Sequence, residues 1–401
     1  NLGIIGLGNI AYKFSKAFNE TKNARLLAVA SNDIAKLKNF GEKFKIEKKF
    51  QFEQYEKLLN CKEVDIVYIA LPNSLHKSWV LQALKSNKNV LVEKPAVTNL
   101  AEANEIKNYL KSSNLFFSEA FMYRYHPQIK LVIDIIRSNQ IGNLLSMESS
   151  HGKNILTKKF FYYFNKKRKI NPKSRLFNRE LGGGCILDLG CYTSSFSLLI
   201  GSLISKVDID NLKLQNVVRQ IGETGVDIES SAELYFKSGF KSKIFSSFKN
   251  NLGYSSIIKG EKGQIILSNT WTGGDIILKA TNNSNRIIEH DSNINIYDHY
   301  DACQVLRCID DLCFFLSSDI PNKIKNNKYS GENVLKQIVY SGRNSVSVPD
   351  EYINFFNNLS KKKVNNVYFP IIEEFNKNFK ICKTLLDFGC GELTSSSFII
   401  K

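Results

Sequence analysis

Leu2-Gly3-Ile4-Ile5-Gly6-Leu7-Gly8-Asn9-Ile10-Ala11 is the stretch that decides the fold of this 401-residue chain. A short apolar strand runs straight into a glycine turn, and a helix follows with Phe14, Ala17 and Phe18 on its apolar side. Strand, Gly-x-Gly-x-x-Ala loop and helix make the dinucleotide fingerprint. Gly6 permits the tight turn, Gly8 lets a pyrophosphate approach the backbone, and Ala11 lets the helix pack closely on the strand, with Asn9 and Ile10 completing the loop. A glycine turn in any α/β unit is the plainer reading. Against it, a second apolar strand, Leu26-Leu27-Ala28-Val29-Ala30, ends about twenty residues on, where a nucleotide-binding βαβ unit needs it.

The tip of that second strand reads Ala30-Ser31-Asn32-Asp33, with Lys36 and Lys38 beyond it. An acid at the tip itself would hydrogen-bond a ribose 2′-hydroxyl; here Ser31, Asn32 and a nearby Lys suit a 2′-phosphate, and Asp33 opposes one only if it turns inward. The reading leans to NADP and leaves NAD open. A third unit follows, Val64 to Ala70, then Leu71-Pro72-Asn73-Ser74-Leu75-His76 and a helix through Leu84. Parallel repeats bring this loop to the same sheet edge as the glycine loop, so Asn73 and His76 are expected at the cofactor cleft, although a lone His at a helix start is more often simply exposed. Next, Asn89-Val90-Leu91-Val92 reads as a buried strand emptying into Glu93-Lys94-Pro95. Pro95 disfavours helix at Lys94 and so holds its ammonium on a turn. A solvated surface lysine is the plain alternative, and Asn99 with Glu102 opens the next helix.

Composition narrows the function classes. The hydrophobic share of 43% supports a sizeable core, and the chain is long enough for two domains and part of a third. The net charge of +17 is spread along the chain among Asn and Ile, so no nucleic-acid partner is expected. Eight cysteines without a CxxC pair or a His-Cys cluster argue against structural metal and a disulfide framework; Cys303, Cys308 and Cys313 recur at a step that does not share a helix face. The cysteines read as reduced, mostly buried thiols of a cytoplasmic protein, and no run long enough to cross a bilayer is read, so no membrane is expected. Residue 1 is Asn directly before a strand, so an upstream targeting segment stays open.

Taken in order and spacing, Gly6-x-Gly8-x-x-Ala11, the Ala70 to His76 turn and Glu93-Lys94-Pro95 resemble the glucose-fructose oxidoreductase/inositol dehydrogenase (Gfo/Idh/MocA) family. The resemblance implies an N-terminal Rossmann domain that binds a nicotinamide cofactor, with Lys94 beside the nicotinamide. The implied cofactor contacts are Gly6, Gly8, Asn9, Ile10, Ala11, Ser31, Asn32, Leu71, Pro72, Asn73, His76, Glu93 and Lys94.

Ser118 to Pro127 carries the chain into a second domain, and Arg124 and His126 in it are candidate substrate residues beside a plainer role in crossover packing. Leu181-Gly182-Gly183-Gly184 then opens a helix that sets Asp188 and Tyr192 one turn apart. Consecutive glycines let a backbone pass close to a ligand, and a carboxylate beside a phenol can address neighbouring hydroxyls of a polyol or sugar. The resemblance implies that Asp188 and Tyr192 work with Lys94, and the Tyr form with the Glu119 to Pro127 segment is similar to the dihydrodiol and NADP-xylose dehydrogenase branch. A basic aromatic stretch, Lys158 to Arg175, reads as a solvated or lid-like loop, with a phosphate-bearing substrate as the sharper idea.

Hairpins around Ser238-Gly239 and around Gly260-Glu261-Lys262-Gly263 make the second domain α+β, with an open, mainly antiparallel sheet packed with helices. That sheet is expected to serve as substrate platform and homo-oligomer interface, and a helix from Tyr297 to Phe315 is expected to close the domain. The boundaries read as 1–118, 119–342 and a tail of 343–401. In the tail, Leu385-Leu386-Asp387-Phe388-Gly389-Cys390-Gly391 resembles the first motif of a class I S-adenosylmethionine methyltransferase, with Leu393 where a third glycine would stand.

The expected activity is hydride transfer between nicotinamide C4 and a hydroxyl-bearing carbon of a sugar, polyol or sugar nucleotide. Tyr192 would exchange the proton, Lys94 would favour the phenolate, and Asp188 would orient. The alternatives are a non-catalytic dinucleotide-binding regulator and one half of a bifunctional oxidoreductase-methyltransferase.

Overall fold

The computed structural model describes residues 1–288, apart from 19–20, 22–23, 161–163, 206, 208–211 and 281–284. The expected helix from Tyr297, the three regularly spaced cysteines and the methyltransferase-like tail lie outside the described residues.

The first layer is a parallel sheet of β1 (Leu2–Ile5), β2 (Leu26–Ala30), β3 (Gln51–Phe52), β4 (Ile66–Ile69), β5 (Asn89–Val92) and β6 (Phe117–Glu119). The strand order is β3-β2-β1-β4-β5-β6 and every pair is parallel. Helices α1 (Asn9–Ala17), α2 (Ile34–Lys43), α3 (Tyr55–Leu59), α4 (Asn73–Lys85) and α5 (Leu100–Lys111) cover it. β1 and β4 are buried throughout, which is why they read as unbroken apolar runs with no alternation. The order reverses between β1 and β4, so the crevice for a ligand opens at their C-terminal ends, at Gly6 and Ala70. β6 ends at Glu119, paired to Val92 at the end of β5, and the chain then leaves through a 3-10 turn, Met122–Tyr125.

α6 (Pro127–Arg137) and α7 (Cys191–Ser202) lie on the second sheet. Its strands are β7 (Leu144–Gly152), β10 (Lys213–Ile221), β11 (Asp227–Tyr235), β12 (Lys241–Ser247), β13 (Ser256–Gly260), β14 (Gly263–Leu267), β15 (Ile276–Ala280) and β16 (Asn285–Ile288), in the order β10-β11-β12-β7-β13-β14-β15-β16. A separate hairpin, β8 (Thr157–Phe160) and β9 (Phe164–Lys167), stands apart from it.

Both expected hairpins are present, β11 with β12 and β13 with β14. The central pair, β12 with β7, is parallel, a non-local pairing with no turn chemistry to announce it. Ile129, Val132 and Ile135 of α6 join Phe196 and Ile200 of α7, Met147, Ile258, Ile265 and Trp271 in one core. Among the described residues one run, Arg179–Ser202, is long and apolar enough to cross a membrane, against the expectation of none. Half of it is buried inside the protein, as a core helix is.

Candidate active site

At the crevice, Gly6 has φ +89°, and a Cβ there would stand 2.6 Å from the carbonyl oxygen of Ala70. Only glycine lets β1 and β4 empty side by side at this point. Gly8 is the opposite case: nothing lies within 4 Å of the place its Cβ would occupy. It caps α1 without a side-chain hydrogen bond, the first turn holds no acid, and Asn9 and Ile10 are exposed. Open space above unsatisfied helix N–H groups fits the pyrophosphate of a dinucleotide.

Beside it, Ser31 is buried with its Oγ accepting from the amide of Asp33, while Asn32 is exposed. Asp33 faces its own helix. Its Oδ1 accepts from the Lys36 amide at 3.0 Å and its other oxygen pairs with the Lys36 ammonium at 2.9 Å. The backbone bond from Lys36 holds the carboxyl below its ordinary pKa. Both oxygens of this acid are thereby engaged by Lys36.

Lys94 follows β5 on a turn whose Lys94-Pro95 bond is cis. Two carboxylates pin the turn from below. Glu93 accepts from the Tyr68 hydroxyl at 2.5 Å and from the Lys94 amide, and Glu119 accepts from the Ala96 amide at 2.7 Å. Lys94 is no surface lysine: its side chain is 15% exposed. Nζ donates to the Asp188 carbonyl at 2.7 Å and lies 3.3 Å from Asp188 Oδ1 and 4.7 Å from the centre of the Tyr192 ring. Burial works to lower its pKa, while Tyr192, when ionised, and Asp188 raise it, and the net shift is upward. Burial likewise raises Glu93, and lifts Glu119 to about 7.

Asp188 sits in a π-helical turn, Ile186–Gly190, which passes directly into α7. The wider turn replaces the regular helix expected there, and both Asp188 and Tyr192 still meet Lys94. Asp188 Oδ1 also accepts from Arg175 Nη1 at 3.2 Å. Burial opposes ionisation of this carboxylate, but Lys94 and Arg175 prevail and lower its pKa.

Tyr192 is 7% exposed among Phe121, Tyr123, His151 and Trp271. Burial raises its pKa by more than Lys94 lowers it. Lys94 acts in the expected direction, toward the phenolate, but burial outweighs it and leaves the phenol neutral.

Other expectations are corrected by the packing. The glycines at 182–184 stand close against other parts of the protein. A Cβ on Gly182 would meet Asn73 at 2.8 Å, one on Gly183 would meet three backbone oxygens, and one on Gly184 (φ +117°) would meet the Asp227 carboxylate at 2.5 Å. Asn73 is buried and donates to the Gly182 carbonyl at 2.9 Å, so it ties the two layers together. His76 is fully buried, its ring nitrogens 2.8 Å from the Pro95 oxygen and 2.7 Å from the Leu71 oxygen. It braces the loop of Leu71 and Pro72 against the Lys94 turn and does not face the crevice.

Arg124 is held by Ser195, whose Oγ accepts from Nη2 at 2.7 Å and whose carbonyl accepts at 3.2 Å. His126 is buried and caps α6 through Nδ1, which accepts from the Gln128 amide. Both are packing residues of the crossover. Tyr68 and His151 were not singled out in the sequence, and Arg175 and Glu119 were read only as parts of longer stretches, not as site residues. Only Glu119 carried a readable signal, an acid ending a parallel strand as Glu93 does.

Comparison with known proteins agrees with this fold. A family model described as an oxidoreductase family with an NAD-binding Rossmann fold matches residues 1–121, and the GFO/IDH/MocA C-terminal domain matches residues 129–266. The chain is 27% identical over 283 residues to a trans-1,2-dihydrobenzene-1,2-diol dehydrogenase of Xenopus tropicalis, covering 69% of this chain and 78% of that one. It is 26% identical over 275 residues to a dTDP-3,4-didehydro-2,6-dideoxy-alpha-D-glucose 3-reductase of Saccharopolyspora spinosa, covering 68% and 75%. Among solved structures, KijD10, a 3-ketoreductase from Actinomadura kijaniata in complex with NADP and TDP-benzene, has the same fold at a TM-score of 0.63 and 21% identity, over 84% of this chain and 96% of that one.

Proposed function

Because the chain belongs to the GFO/IDH/MocA family of NAD-binding oxidoreductases, we propose that it reduces or oxidises a carbon bearing a hydroxyl on a sugar, sugar nucleotide or cyclic diol, with NADP preferred over NAD. The observation that carries this reading is the meeting of Lys94 from the first sheet with Asp188 and Tyr192 from the second domain. A dinucleotide-binding regulator would need none of these three in contact.

The Gly6 to Ala11 loop and the open N-terminus of α1 would hold the pyrophosphate, and Ser31 and Asn32 the ribose. When bound, the nicotinamide supplies the hydride donor or acceptor. Tyr192, kept neutral, gives its proton to the substrate oxygen in the reductive direction and recovers it in the oxidative one. The Lys94 ammonium stabilises the negative charge that develops on that oxygen, and Asp188 holds the ammonium in place. An open cavity of about 910 Å³ is lined by Lys167, Arg168, Lys169 and Arg179 together with Glu180 and Glu223. That cavity supports an anionic substrate such as a sugar nucleotide.

Lys94→Met tests the assignment with NADP and NAD in parallel against sugars, sugar nucleotides and cyclic diols. Turnover should fall by roughly 10²-fold or more, with NADP affinity changed by less than about threefold. Turnover near wild type would remove Lys94 from the chemistry.

A further inference from the structure

His151, on β7, stands between Tyr192 and Tyr254. Its ring centre is 5.1 Å from Tyr192 at 79° and 5.4 Å from Tyr254 at 78°. Trp271 backs it as a stacked plane 5.4 Å away and 21° off parallel. The indole N–H is already spent on the Ser150 carbonyl at 3.0 Å, so Trp271 fixes the imidazole and offers it no hydrogen bond. Tyr192 is the buried end of this row and Tyr254 the exposed end, 37% accessible.

Within the row, His151 Nδ1 is buried and has no hydrogen-bond partner among the described residues. A buried imidazole nitrogen normally has a partner, and one without a protein partner is a place where a ligand atom can complete the set. Burial, with Lys94 nearby, lowers the pKa to about 3, so the ring is neutral at working pH, with Asp188 opposing weakly. A neutral imidazole can donate or accept at Nδ1 according to its tautomer, and a hydroxyl can answer either. Of the groups facing the ring, Tyr192 and Lys94 belong to the reacting end, while Tyr254 marks the outward one.

Resting on the oxidoreductase reading above, we propose that His151 is a specificity-determining residue that hydrogen-bonds a second hydroxyl next to the one that reacts at Tyr192, selecting vicinal diols on a ring. The aromatic row receives the apolar face of that ring, and the imidazole supplies the polar contact within it.

The test reads binding without chemistry, so its failure is distinct from failure of the Lys94→Met assay. The chain has two tryptophans, Trp79 and Trp271. In a Trp79→Phe background, Trp271 fluorescence of the NADP-loaded protein reports a ligand at its stacked partner. The probes are trans-cyclohexane-1,2-diol and cyclohexanol, which differ by the second hydroxyl alone.

The expected result is about tenfold tighter binding of the diol. His151→Phe should bring the two within about twofold, and His151→Asn, which keeps a polar atom near the Nδ1 position, should restore part of the preference. A parallel KM and kcat measurement should place the change in KM. Equal binding of both probes by the unsubstituted protein, no fluorescence response to either, or a preference undiminished in His151→Phe would each overturn the proposal. Should His151→Phe not fold, loss of preference in a leucine variant set against its retention in His151→Asn decides the same question.

Discussion

Asp188→Asn isolates the electrostatics of the site, because it keeps the shape of the side chain and removes the charge that Lys94 faces. Two unit charges 3.3 Å apart, at an effective dielectric of about 20, attract by about 5 kcal/mol. At about 1.4 kcal/mol per pK unit, that corresponds to between three and four units as an upper bound. Part of it survives the change, since the backbone carbonyl of residue 188 still accepts from Nζ at 2.7 Å. Arg175, 3.2 Å from the same carboxylate, loses its partner too and adds repulsion.

Burial already works against the ammonium, so without Asp188 its pKa should fall, by no more than those three to four units. The assay is the pH dependence of kcat/KM with saturating NADPH. The native protein should show no Lys94 deprotonation below about pH 9, whereas Asp188→Asn should gain a limb that falls as pH rises, costing about tenfold per unit above that pKa. Arg175→Gln is the control: it leaves Asp188 wholly to Lys94 and should add no such limb. If Asp188→Asn keeps the native profile, the carboxylate does not hold the ammonium charged and the electrostatic account fails.

The two glycines of the first loop should respond oppositely. Gly6→Ala forces a side chain at φ +89° against the Ala70 carbonyl and should cost about 2 kcal/mol or more in denaturant unfolding. Gly8→Val meets open space, so stability should stay within about 0.5 kcal/mol while NADP affinity in a titration falls at least about tenfold. Glu119 gives a pH dependence. Its folded pKa of about 7 lies above the ordinary 4.5, so the folded state binds more protons between those values and loses stability as pH rises through that window, by up to about 3 kcal/mol. Glu119→Gln should flatten thermal melts taken across that range, and an unchanged slope would show that Glu119 is ionised in the folded protein.

The sequence by itself determined the first domain and singled out Lys94, Asp188 and Tyr192, which the structure brings together. Glycine at Gly6 is forced by backbone sterics, and buried parallel strands demand unbroken apolar runs, so Leu2 to Ala11 and Asn89 to Pro95 announce their structure within ten residues. The hairpins of the second sheet were legible for the same reason, since turn chemistry is local. Side-chain commitments were not. His76, Arg124 and His126 look like site residues in one dimension, and only packing reveals that carbonyls and helix ends have already taken their polar atoms. Arg175 reached Asp188 out of a stretch that reads as solvated loop, and His151 came into the aromatic row from a strand whose parallel partner, β12, lies far along the chain. The protonation of Lys94, Tyr192 and Glu119 likewise belonged to tertiary structure, because burial and charges brought together from distant segments set a pKa, and neither is a property of a residue's neighbours in sequence.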